Sequence, residues 1–159
     1  MKKNNKNNKG FSLVELIIVI TIMAILIGVL APQYLKFVEK SRKSTDRQNV
    51  DEIVRAVEVY AADPEATDAL ATSGTVTITT TSTAVSTTTA TGNIDKALAA
   101  AGIDKLVLKS SKWTDGTNTV TTIYLNFTIG ADGTVSVVAN SSNTGTTTNI
   151  TDGTKNILE

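Results

Sequence analysis

The sequence predicts an α+β protein in which a long N-terminal α-helix, membrane-spanning in its first half, packs in its second half against a small antiparallel β-sheet head. Three patterns carry that prediction. Residues 11–31 are almost wholly apolar, with Glu15 as their single charge. Beyond Pro32 the apolar residues recur at helical spacing, at Val50, Ile53, Val54, Val57, Tyr60 and Ala61. Towards the C-terminus Ile123, Leu125, Phe127 and Ile129 alternate with Tyr124, Asn126 and Thr128, the period of a half-buried strand.

A chain of 159 residues is one domain of ordinary size, and with a membrane segment set aside the remainder can bury only a modest core. Its 15 Lys and Arg balance 15 Asp and Glu. Four of the lysines, Lys2, Lys3, Lys6 and Lys9, precede Phe11, so loss of the leader would leave eleven basic against fifteen acidic residues. An acidic processed chain argues against a nucleic-acid partner for the head. The absence of Cys and His excludes disulfides, thiol nucleophiles, Cys/His zinc sites, histidine general bases and Ser-His-Asp triads. With no cluster supplying a base, a nucleophile or a metal site, neither an enzyme activity nor a cofactor is expected.

Residues 1–10 are Lys, Asn and Gly after the initiator and read as a solvated basic leader. The apolar stretch that follows is long enough for a helix to cross a hydrocarbon core of ~30 Å. It is also too long for an ordinary secretory signal, and Pro32 follows the small-residue site at Ala31, which disfavours cleavage there. Basic residues flank the span on both sides, the leader lysines on one and Lys36, Lys40, Arg42, Lys43 and Arg47 on the other, so charge alone leaves its orientation open. If Pro32 only kinks the helix, one rod continues to about residue 62 and spans ~75–80 Å. Asp63-Pro64 then stops it and is able to cap a further short helix through Leu70.

Residues 72–91 are dominated by Ser and Thr, with Val76 and Ile78 as the clearest apolar alternation; a weak strand and a surface loop both fit. Asn93 caps a short amphipathic helix with Ile94, Ala97, Leu98 and Ala101 on one face, ended by Gly102. Leu106, Val107 and Leu108 read as a short strand. Ala131-Asp132-Gly133 is hairpin chemistry between the alternating strand and a return strand over 134–139. The tail after Asn140, polar and repetitive until Ile157 and Leu158, is expected to be a covering loop or an edge segment. Trp113, the only tryptophan, is expected to lie partly buried beside the sheet.

The residues that carry function are those from Gly10 to Glu15: a small residue closing a basic leader, an aromatic, and a carboxylate at the mouth of an apolar helix. A charge near the middle of a membrane helix costs ~2.5–3.5 kcal/mol on insertion scales, so a shallower Glu15 still needs a reason. A cut after Gly10 would leave a free amine on Phe11 about one turn away, a cation placed to neutralise that carboxylate within a subunit or across to its neighbour.

Residues 10–34, GFSLVELIIVITIMAILIGVLAPQY, resemble the N-terminal signature of type IV pilins and the related pseudopilins. The resemblance implies cleavage by a prepilin peptidase between Gly10 and Phe11, N-methylation of Phe11, subunit registration by Glu15, and helix softening near Gly28 and Pro32. It also implies that the leader lies inside the cell and the head outside. Its expected divisions are a leader over 1–10, a transmembrane and polymerisation helix over 11–32, the second half of the spine over 33–62, and an α+β head over 63–159. The family's glycine at the start of the softened stretch corresponds here to Ala24, with Gly28 one turn later. Members that pin the C-terminal loop with a disulfide have no counterpart here, which points to a Gram-positive or otherwise cysteine-free branch.

The function so implied is a structural subunit of a surface filament for adhesion, motility or biofilm, a homopolymer whose subunits lie in membrane lipid until the inner-membrane pilus assembly machinery assembles them. An apolar helix leaving lipid must be buried against copies of itself. The rivals are a pseudopilin of a type II secretion or DNA-uptake machine and, from another class, a signal-anchored extracellular binding module. Other features have blander readings. The Ser/Thr-rich stretch is a solvated loop before it is a glycosylation tract. The triplets at Asn126, Asn140 and Asn149 are chance matches to an N-glycosylation acceptor. Asp132 and Asp152 are turn residues, because neither has the run of oxygen ligands that calcium requires.

Overall fold

The computed structural model describes residues 11–63, 73–80, 86–88, 94–103, 105–116, 118–141, 150–151 and 156–158. The chain divides into two units, Met1–Val38 and Glu39–Glu159. Helix α1 runs from Leu13 to Ala62 and belongs to both. In the first unit every large apolar side chain from Leu13 to Leu30 is exposed, from 47% for Val19 to 72% for Leu13. Burying one such side chain is worth about 1.5–3 kcal/mol. The stretch therefore represents tens of kcal/mol, against a typical net domain stability of ~5–15 kcal/mol. It cannot remain in water; lipid or other protein must cover it.

The second unit has a four-stranded antiparallel sheet ordered β2-β1-β5-β6, where β1 is Ser73–Thr79, β2 Ser86–Thr88, β5 Thr122–Ile129 and β6 Val135–Asn140. Between β2 and β5 lie helix α2, Ile94–Ala100, and the small hairpin of β3, Trp113–Thr114, with β4, Thr119–Val120. Of the two readings open for the Ser/Thr-rich stretch, the strand holds over β1 and β2. Val76 and Ile78 are buried, and their cross-strand partners on β5 are Leu125 and Ile123. On the other side of β5, Leu125 faces Ala139 and Phe127 faces Val137. The inner face of the sheet meets Val50, Ile53 and Val57 of α1, all fully buried in one apolar core. The 4-3-4 spacing of that stripe, once Asp46 is included, is what places the sheet on this side of the helix.

Helix α2 ends as its sequence implies. Gly102 takes φ +74, Ile103 donates its N–H to Leu98 O at 2.8 Å, and Gly102 donates to Ala99 O at 3.0 Å. These are the paired bonds of a Schellman cap, with Ile103 and Leu98 both buried beneath it. The turn after β5 is closed by Gly130 N–H donating to Thr134 O at 2.8 Å, with Gly133 at φ +81.

Three expectations need correction. Leu106 to Leu108 is not a strand: the segment is irregular, and Leu108 donates its N–H to Thr79 O at the end of β1. It does not continue as a ladder because the next two amides, those of Lys109 and Ser110, are taken by Asp46 of α1. Trp113 is fully rather than partly buried. In the tail, Ile150 and Ile157 are core residues and not cover, whereas the antiparallel bridge of Thr151 to Thr114 fits the edge-segment reading; Ile157 donates to Ile150 O at 2.9 Å. The short helix expected through Leu70 lies outside the described residues.

Candidate functional site

The first turn of α1 organises the charged mouth of the apolar helix. Ser12 precedes the first helical residue and is the N-cap: its Oγ accepts from Val14 N–H at 3.4 Å. Glu15, three residues on, reaches back, and its Oε2 accepts the N–H of Ser12 at 3.0 Å. This arrangement resembles a capping box, except that the hydroxyl takes the amide of the second helical residue and not the third, and it satisfies two amide donors that a helix start otherwise leaves open. A carboxylate here also lies at the positive end of the helix dipole, worth ~0.3–1 kcal/mol. Glu15 is thus held by one backbone donor at the point where the helix becomes apolar. Phe11, immediately outside the cap, is 90% exposed. Gly10 lies outside the described residues.

Ser12 is a residue that sequence reading passed over, although its signal was present: Ser-x-x-Glu ahead of an apolar run is a helix-start pattern in its own right. The structure brings Ser12 and Glu15 together at one helix mouth, whereas Gly28 and Pro32 lie further along α1.

Gly28 and Pro32 sit on exposed turns of α1, and the helix is continuous through both. They are four residues apart, so the N–H that Pro32 lacks is the one that would have bonded the Gly28 carbonyl. The missing hydrogen bond and the missing Cβ therefore fall on the same turn. A Cβ added at Gly28 would meet nothing within 4 Å, so the glycine is not required by packing in the isolated chain.

Elsewhere the described residues offer little chemistry. Among them no group of three or more Asp or Glu side chains is placed to hold a metal ion. An open groove of about 280 Å³, lined by Glu52, Arg55, Val59, Tyr60, Asp63 and Ala97, has no nucleophile set against a base. Asp132 serves its turn, accepting from Thr134 N–H at 3.1 Å and Thr134 Oγ1 at 2.7 Å. Of the N-glycosylation triplets, Asn140 is buried and Asn126 accepts from Thr75 Oγ1 at 2.8 Å; Asn149 lies outside the described residues.

Comparison with known proteins places this turn in context. The model of the prokaryotic N-terminal methylation motif matches residues 5–31. The chain is 38% identical over 74 residues to the prepilin peptidase-dependent protein A of Clostridium perfringens, covering 46% of this chain and 49% of that protein. It is 31% identical over 61 residues to the type IV major pilin protein PilA of Myxococcus xanthus, covering 38% of this chain and 28% of that one. The chain thus spans about half the length, or less, of these relatives. No solved structure matches.

Proposed function

From a chain that carries the N-terminal methylation motif of prokaryotic prepilins on a pilin-like α+β architecture, we infer a structural subunit of a type IV pilus, made as a membrane precursor and polymerised through α1. The observation that carries this reading is the exposed apolar length of α1 with one carboxylate at its mouth. A helix of that character is long and apolar enough to cross a membrane, and outside lipid it has to be covered by copies of itself.

In this reading the leader over 1–10 stays inside the cell and the head emerges outside. A prepilin peptidase hydrolyses the Gly10–Phe11 amide, leaving an ammonium on Phe11 that is then N-methylated. Removing residues 1–10 takes away four lysines that water solvates well and lets the helix leave the membrane. The new cation sits within a turn of Glu15, whose carboxylate is already oriented by Ser12. Pairing of that carboxylate with the amine of a neighbour sets the register between subunits, and it acts strongly because the surrounding helices are apolar. The Gly28–Pro32 turn, short of one backbone bond, is the place where α1 yields when helices of different subunits crowd together.

The test is mass spectrometry of fibres sheared from cells that make this chain. Expected is an abundant subunit that begins at methylated Phe11. A processed chain that stays in the membrane of cells lacking surface fibres would favour the pseudopilin reading, and an unprocessed chain with the lysine leader intact would remove both.

A further inference from the structure

Within the second unit the fold brings two basic stretches together at the N-terminal end of its part of α1. On the helix Lys40 and Arg42 are exposed, and Arg42 keeps 54% of its side chain in the open although it lies 3.9 Å from Glu39. On the irregular segment before β3, Lys109 and Lys112 are exposed. Asp46 joins the two stretches by accepting the amides of Lys109 at 2.6 Å and Ser110 at 2.9 Å. Ser110 Oγ in turn donates to Glu39 and accepts the amide of Lys112 at 3.1 Å. Both acids of this end are thereby turned inward, Asp46 fully buried and Glu39 15% exposed. Residues 40–45 and 105–112 contain no acid, so the charge that reaches the surface is cationic. Lys43 and Arg47, half-buried over the Trp113 ring at 5.2 and 5.3 Å, are already engaged and add only to the field.

The place of this patch in the chain says what it meets. Lys40 follows exposed Leu35 by five residues, a path of at most about 18 Å even when fully extended. With the apolar stretch in lipid, Lys40 and its neighbours are therefore within reach of the headgroup layer. Loops on the exported side of a membrane span are ordinarily poor in Lys and Arg, so cations held there by the fold need a partner to account for them. Further along α1 the sign reverses: Asp51, Glu52 and Glu58 are exposed and outnumber Arg55. An anionic surface attracts one end of this helix face and repels the other, which orients the head as well as holding it.

We propose that this end of the head is a docking surface for anionic phospholipid headgroups, with Lys40, Arg42, Lys109 and Lys112 set against their phosphates. The proposal rests on the membrane-precursor part of the reading above. Single exposed charge pairs contribute little, but several cations on one surface act together on a charged membrane. Docked in this way, the head of the precursor is held at one depth and in one orientation beside the membrane before assembly.

The test uses the full-length chain reconstituted in vesicles. Because the chain has no cysteine, Ser111→Cys places a single thiol at an exposed position between Lys109 and Lys112, where it carries a polarity-sensitive fluorophore. Ala131→Cys carries the same fluorophore at the β5–β6 turn, where a Cβ added at Gly133 would lie 3.8 Å from Ala61 O. Ala61 is about 30 Å along α1 from Lys40, so the second probe reports the other end of the head. Phosphatidylglycerol mixed into phosphatidylcholine vesicles should blue-shift the Ser111→Cys probe and leave the Ala131→Cys probe unchanged, and raised salt should reverse the shift. Lys109→Gln/Lys112→Gln should lower the ratio of docked to undocked heads roughly twentyfold, about fivefold for each lysine near an anionic surface. Unchanged Trp113 emission of the unlabelled variant shows the head folded. A Ser111→Cys probe that ignores phosphatidylglycerol overturns the proposal, as does a shift that survives Lys109→Gln/Lys112→Gln. So does a shift evoked by soluble duplex DNA and not by phosphatidylglycerol, which would assign the patch to another polyanion. A full-length chain that does not float with the vesicles defeats the membrane reading instead.

Discussion

Asp46, in the middle of α1, accepts the indole N–H of Trp113 at 2.9 Å, and both side chains are fully buried. The same carboxylate takes the amides of Lys109 at 2.6 Å and Ser110 at 2.9 Å, so one side chain anchors an otherwise irregular segment to the helix. Asp46→Ala strands three donors, two of them buried, and the expected loss is roughly 3–5 kcal/mol. Trp113→Phe removes one donor and should cost about 1–2 kcal/mol beyond the packing change. The two effects should fall short of additive by on the order of 1 kcal/mol, because they share a bond. Unfolding followed by far-UV circular dichroism in detergent checks this; additive losses would mean that the bond is energetically silent.

Ile157 is fully buried and donates to Ile150 O, while Thr151 is bridged to Thr114. A cysteine-free chain holds this segment by packing, not by a disulfide. Ile157→Ala should therefore cost about 2–5 kcal/mol, a core-cavity penalty. Leu158→Ala, at a half-buried position, should cost clearly less. Equal small effects from the two, measured by thermal unfolding, would show that the tail is not part of the core.

How far these features could be read from sequence depends on the range of the interactions that make them. Val50, Ile53 and Val57 announce themselves by spacing, and Ile123, Leu125 and Phe127 by alternation, because burial on one face leaves a local periodic trace. Asp46 continues the helical stripe at four residues before Val50 yet reads as surface, since an aspartate is rarely buried unless paired. Its partners lie more than sixty residues away, and nothing local names them. The same holds for β3 and β4, two residues each, and for Ile150 in a polar tail. Leu106 to Leu108 misled because an apolar run of three fits a strand equally well as a loop whose amides are held elsewhere. At the N-terminus the position is reversed: the capping arrangement is local, and Ser12 and Glu15 display it directly.

Asp132 offers a pH test at the β5–β6 turn. Hydrogen bonds from the Thr134 hydroxyl and then its amide hold the Asp132 carboxyl below the ordinary aspartate value. Because the folded value is the lower one, the charged form is favoured by folding. Its contribution is present above the unfolded value and is lost as pH falls through the folded one, so the window lies in the acid range. Thr134→Val should move the Asp132 titration upward, read by NMR of the carboxyl carbon. Gly130→Ala should do the same, since its Cβ would fall 2.5 Å from Asp132 Oδ1 and 2.6 Å from Thr134 Oγ1 and must displace one of them. An unmoved midpoint in Thr134→Val would assign the shift to another cause.

The observed capping bond of Glu15 and its proposed registration role are separable, and one substitution divides them. Its carboxylate caps α1 through the Ser12 amide, a bond that glutamine can also make. Its charge is what the registration role requires, and glutamine lacks that. Glu15→Gln should therefore keep the helix start intact, insert into the membrane and be cut between Gly10 and Phe11, yet fail to polymerise. Glu15→Ala loses both roles and should also fray the first turn, at a cost of about 0.5–2 kcal/mol. Ser12→Ala gives the converse case, with the charge kept and the N-cap oxygen gone; it should weaken assembly less than Glu15→Gln does. The measurement is sheared-fibre yield together with the N-terminal residue of the membrane-retained chain. If Glu15→Gln assembles like the wild type while Ser12→Ala does not, helix capping rather than charge is what assembly needs, and pairing of Glu15 with a neighbour's Phe11 amine has to be abandoned.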